Sequence, residues 1–134
     1  MLRFDHLPSD FNPTFLFLGE KQDLAALANL LRSFADAPRP LDVREQFSGA
    51  ISRTTLRLVP VEDEAGDFGM RQDQNGFRWG LNRWQAEKIA ERIELLTPSH
   101  QKSGSDIIEL GVEGEIPVKV SLGEFTDDFL VRRF

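Results

Sequence analysis

The sequence predicts a two-layer α+β domain: a mostly antiparallel sheet of five to seven strands, with two amphipathic helices packed on one face. Three observations carry that reading. Thr14 to Ala37 turns an unbroken apolar run, TFLFL, straight into a helical pattern. A hairpin followed by a second helical pattern fills residues 67–96, and two alternating segments close the chain over 107–122. The 134 residues read as a single domain, 1–134, long enough to bury about two-thirds of the unfolded surface.

Leu2–His6 is a short first strand, and Pro8 and Pro13 keep the following LPSDFNP irregular. Thr14–Leu18 is short enough for a strand and apolar on both faces. Gly19 punctuates it. Leu24, Leu27, Ala28, Leu31, Phe34 and Ala35 then recur at the spacing of one helix face, so a helix spans Lys21–Ala37 with Glu20 and Asp23 at its positive start. The connector APRPLDVREQFSGA reads as irregular, with one helical turn around Asp42–Phe47. Thr54–Val61 is the next strand, followed by a polar loop, Glu62 to Gly66.

Asp67–Asp73 and Phe77–Leu81 flank Asn75-Gly76, a pair suited to a type I′ turn. A loop of those two residues sets Asp73 opposite Arg78, Gln72 opposite Trp79 and Met70 opposite Leu81. Phe68, Met70, Phe77, Trp79 and Leu81 then share one face, and Gly69, Arg71, Arg78 and Gly80 the other. Asn82 caps a second helix, Arg83–Leu96, with Gln85 completing a capping box. Its buried stripe is Ala86, Ile89, Ala90, Ile93 and Leu96, while Trp84 lies beside Leu95 on the far side. Thr97-Pro98 ends it. Ile107–Val112 and Ile116–Leu122 form the closing hairpin around Glu113-Gly114-Glu115, pairing Leu110 with Val118 and Glu109 with Lys119. Pro117 cannot donate to a ladder, which predicts an edge strand. No internal repeat is visible.

Composition excludes several classes. Hydrophobic content of 40% with 28% charged residues is that of an ordinary globular chain. No apolar run approaches the ~20 residues of a membrane span. MLRFDHLPSD lacks the apolar core of a secretory leader. With no cysteine there are no disulfides and no thiolate chemistry, and the two observations together point to the cytoplasm.

The formal charge of −6 is localised: Gly104–Asp128 holds seven acids against Lys119 alone, and the remaining residues balance. Glu109, Glu113, Glu115, Lys119, Asp127 and Asp128 therefore form a candidate docking face for a basic protein partner, against the simpler reading of a solubilising surface. A chain this acidic is a poor nucleic-acid binder. Arg71 and Arg78 over Gly69 and Gly80, with Arg83 just beyond, form a candidate anion site or else the solvated side of a sheet.

No metal and no cofactor is expected, since His6 and His100 are isolated and no ligand spacing occurs. Asp67-Phe68-Gly69 matches a kinase tripeptide without the rest of a kinase, and no nucleophile elbow or phosphate-binding loop is present. The alternative to protein binding is a small-molecule binder or weak enzyme with a pocket between sheet and helices. Phe15 and Phe17 face one side of their strand and Leu16 and Leu18 the other, yet two helices cover only one side. A homodimer, or the Pro-rich connector folding back, would bury the second face.

The opening FLFLGEKQDLAALANLL, the mid-chain hairpin leading into the second helix, and the closing PVKVSLGEF with its acidic follow-on resemble the small acidic α+β immunity proteins with which bacteria neutralise partner toxins. That resemblance implies a non-enzymatic protein binding one protein partner tightly, and it carries no site residue over.

Overall fold

The computed structural model describes residues 1–8, 13–47, 49–62, 67–100 and 103–123. Among them the chain runs β1 (Arg3–Leu7), β2 (Thr14–Gly19), α1 (Lys21–Asp36), β3 (Leu41–Asp42), α2 (Val43–Gln46), β4 (Leu56–Pro60), β5 (Gly69–Asp73), β6 (Gly76–Leu81), α3 (Arg83–Glu94), β7 (Gly104–Ile108) and β8 (Val118–Leu122). The α+β class holds, and both long helices start where the sequence places them. The single antiparallel sheet does not. The strands form two four-stranded sheets, β1-β2-β8-β7 and β3-β4-β6-β5. Each is mixed: β2 pairs parallel with β8 and β4 parallel with β6, while the outer pairs are antiparallel. Sequence patterning specifies which face of a strand is buried, but not which distant strand it meets.

Both helices start from capping boxes. Glu20 and Asp23 exchange bonds with each other's backbone N–H at α1, and Asn82 and Gln85 do so at α3. Asp42 caps the single turn of α2, accepting from Arg44 N at 2.9 Å and Glu45 N at 3.4 Å. One core cluster joins both sheets to both long helices, and Leu16 and Leu18 form a small second cluster with Leu7. Leu16 and Leu18 are 1% and 2% exposed, so their side of β2 presents no bare apolar face to a second copy.

The chain also contains an internal repeat that its residues conceal. β1-β2-α1-β3-β4 and β5-β6-α3-β7-β8 are the same ββαββ unit twice, with the last hairpin of each unit completing the other unit's sheet. The register is constant across the two. Phe15 pairs with Val118 and donates to Pro117 O at 2.9 Å; Phe77 pairs with Leu56 and donates to Thr55 O at 2.9 Å. Gly123 N donates to Gly19 O and Val61 N to Leu81 O, each at 3.1 Å. Equivalent residues meet each other, as a two-fold requires. Phe15 contacts Phe77, Phe17 stacks on Trp79 at 5.6 Å, and Arg32 Nη2 lies 2.6 Å from Glu94 Oε1, 62 residues apart like the other pairs. Buried stripes match in place but not in identity: Leu24, Leu27, Ala28 and Leu31 against Ala86, Ile89, Ala90 and Ile93.

Two hairpin registers differ from expectation. Asp73 pairs with Gly76, Gln72 with Phe77 and Arg71 with Arg78, so the two loop residues are Gln74 and Asn75. The Asp73 carboxylate accepts from Asn75 N at 2.8 Å and closes the turn one residue early. A shift of this kind preserves the faces: Met70, Phe77, Trp79 and Leu81 are buried as the alternation requires. At the closing hairpin, Ile108 pairs with Val118 and Ile107 with Lys119, so Glu109 does not face Lys119. β8 is not an edge strand either, since it lies between β2 and β7. Pro117 stands one residue before it, where only its carbonyl is used.

Candidate functional site

The closing hairpin is wider than its alternation suggests because residues 109–117 leave the ladder to form a loop of their own. Gly111 and Gly114 adopt φ of +82° and +81°, a left-handed backbone that lets the chain turn sharply at both positions. Glu115 then holds the loop from inside. Its Oε1 accepts from the N–H groups of Leu110 at 2.8 Å, Gly111 at 2.6 Å and Val112 at 3.2 Å, a nest of three donors around one carboxylate oxygen. Two further bonds clamp the loop onto β5: Arg71 Nη2 donates to Glu113 O at 2.9 Å, and Ile116 N to Met70 O at 2.8 Å. Leu110 and Ile116 pack against the core. Glu109 and Glu113 are left exposed.

The six acidic-face residues therefore separate. Glu109 and Glu113 are exposed, while Glu115 is turned inward as the brace. Lys119 is half-buried within β8, between Leu16 and Ile107. Asp127 and Asp128 lie outside the described residues.

The arginines separate as well. Arg71 and Arg78 are cross-strand neighbours, and Arg78 also pairs with Arg57, so a row of three arginines crosses β4, β6 and β5. Arg57 is neutralised by Asp73, Nη2 to Oδ2 at 2.5 Å. Arg71 Nε donates to Phe68 O at 3.1 Å and Arg78 Nη1 to Asp67 O at 3.2 Å. The glycine floor is occupied by the chain itself: a Cβ on Gly80 would sit 2.3 Å from Asp67 O, and one on Gly69 2.7 Å from Glu115 Oε2. Arg83 stands apart, its Nε donating to Ala35 O at 2.7 Å at the end of α1.

Two adjoining clefts of about 280 and 410 Å³ open where the parallel strands β4 and β6 end. Pro60, Val61 and Glu62 are common to both; Asn82 and Arg83 line the first, and Asp67 and Arg78 the second.

His6 is not the surface residue its strand suggests. Its ring packs 4.9 Å from that of Phe77, and its Nε2 is buried without a hydrogen-bond partner. Burial holds its pKa below the ordinary histidine value, with neighbouring Asp5 pulling the other way. Asp5 is 7% exposed. Burial raises its carboxyl, against the N–H bond from His6 and the charge of Arg53.

Among the described residues no group of three or more His, Asp or Glu converges as a metal site, and no helix is long and apolar enough to cross a membrane. Large exposed apolar side chains do occur on α3 and at its C-cap, with Trp84 65% and Leu95 72% exposed. Their place opposite the buried stripe is legible in the sequence; the bracing role of Glu115 is not, since one glutamate among seven acids carries no local signature. No protein-family model matches this chain, and neither does any curated protein or solved structure.

Proposed function

We propose that this chain is a non-enzymatic protein-binding domain, of the toxin-neutralising immunity type that its strand and helix order resembles. In this reading it docks a basic partner through the acidic loop 109–117. The observation that supports it is the bracing of that loop. Three N–H groups on Glu115, the Arg71 bond to Glu113 O and the Ile116–Met70 bridge fix the backbone before any partner arrives. A pre-ordered loop avoids the entropy cost of ordering on binding. Glu109 and Glu113 project from it, and exposed acids of this kind steer a basic partner and set its specificity.

The test begins with a partner recovered from the native host and purified. Its affinity is measured for wild type and for Glu109→Lys with Glu113→Lys. About a tenfold weakening at low salt is expected; equal affinity would remove the loop from the interface. The second reading, a small-molecule site, is favoured by the adjoining clefts at the ends of β4 and β6, one lined by Asn82 and Arg83 and the other by Asp67 and Arg78. A ligand screen by thermal shift, repeated on Arg78→Ala, distinguishes it: stabilisation lost in that variant supports the cleft.

A further inference from the structure

α3 turns Ala86, Ile89, Ala90 and Ile93 inward. The opposite face carries Trp84, Lys88, Glu91 and Leu95, spaced so that they form one stripe along the helix. The stripe is continuous. Lys88 Nζ lies 5.7 Å from the centre of the Trp84 ring and 3.4 Å from Glu91 Oε2, and Leu95 follows Glu91 by one turn. Lys88 and Glu91 are half exposed, at 50% and 54%. An exposed tryptophan is the kind of side chain that anchors protein interfaces, and an exposed leucine offers it apolar surface to cover.

The order along the stripe is apolar, cation, anion, apolar. Trp84 and Leu95 stand equally far from the midpoint between Lys88 and Glu91, so the stripe reversed is its own complement. We propose that α3 is the contact surface of a homodimer, in which two copies pack antiparallel about a two-fold at that midpoint. Trp84 of each copy then covers Leu95 of the other, and Lys88 of each faces Glu91 of the other. This is the isologous pattern a two-fold interface demands. One helix face per copy buries less than the ~1,200 Å² of a standard interface, so the dimer is weak, with Kd on the order of 100 µM. The stripe shares no residue with the acidic loop.

The test is sedimentation equilibrium from about 10 µM to about 1 mM, a range that spans that Kd. Wild type rises from the monomer mass toward twice that mass, and Trp84→Ala stays monomeric. Lys88→Glu alone and Glu91→Lys alone repel themselves and stay monomeric, but an equimolar mixture of the two dimerises, because each charge now meets its opposite. Unchanged circular dichroism shows that all variants remain folded. Glu109→Lys with Glu113→Lys dimerises as wild type does, so failure of the loop proposal leaves this one standing. A wild-type mass that never leaves the monomer, or a mixture no more associated than its separate components, overturns it.

Discussion

At Gly76 the backbone and its neighbour agree on a single residue. Its φ is +118°, and a Cβ there would sit 2.0 Å from Thr55 Oγ1 and 3.0 Å from Thr55 O, with the Thr55 hydroxyl donating to Asn75 O. Gly76→Val adds a β-branched side chain to both problems and is expected to lower stability by about 2 kcal/mol or more. Thermal unfolding measures it, and an unchanged Tm would show the turn assignment to be wrong. His6 gives the residue scale a pH dependence. Its folded pKa lies below the unfolded value of 6.5. Between the two, the unfolded chain binds the proton first, so stability falls as pH drops below about 6.5. Asp5 acts with the opposite sign: its raised carboxyl costs stability above its folded pKa, and that cost fades as pH falls through it. Denaturant titrations of wild type and His6→Phe from pH 7 to pH 5 separate them. The variant is expected to lose the decline that wild type shows.

Among the elements, the loop 109–117 depends most on one side chain. Removing the Glu115 carboxylate leaves three N–H groups without their acceptor, and Glu115→Ala is expected to lose about 1–3 kcal/mol. Amide exchange at Leu110, Gly111 and Val112 should quicken well before exchange in β8 does; equal protection of the three amides in the variant would mean that the nest holds nothing. The two long helices were legible at their starts and to within two residues at their ends, because their signals are local: a buried stripe, a capping pair and a stop. Hairpin faces were legible too, since alternation survives a shifted turn. Register was not, because at Asp73 a side-chain bond outweighs the preference of Asn75-Gly76 for the turn centre. The loop was invisible for a related reason. Ile108, Leu110 and Val112 alternate as a strand would, yet Gly111 and Gly114 take positive φ between and beyond them.

On the scale of the whole molecule, two ββαββ units exchange hairpins, and each sheet draws half its strands from each unit. The sequence hides this because burial, not identity, is repeated: Phe17 answers to Trp79 and Leu24 to Ala86. The exchange makes each half dependent on the other. Fragments 1–62 and 67–134 are expected to be unstructured apart and to fold when mixed, followed by circular dichroism. A fragment that folds cooperatively alone would contradict the exchanged arrangement. The acidic loop joins the two sheets, running from β7 in one to a bridge on β5 in the other. The most direct measurement of its role is the association rate with the purified partner, in stopped flow at low and high salt. Wild type should bind fast at low salt and slow steeply as salt rises, while Glu109→Lys with Glu113→Lys binds slowly with a shallow dependence. Equal rates for the two proteins at low salt would contradict the account, leaving these acids with no part in docking.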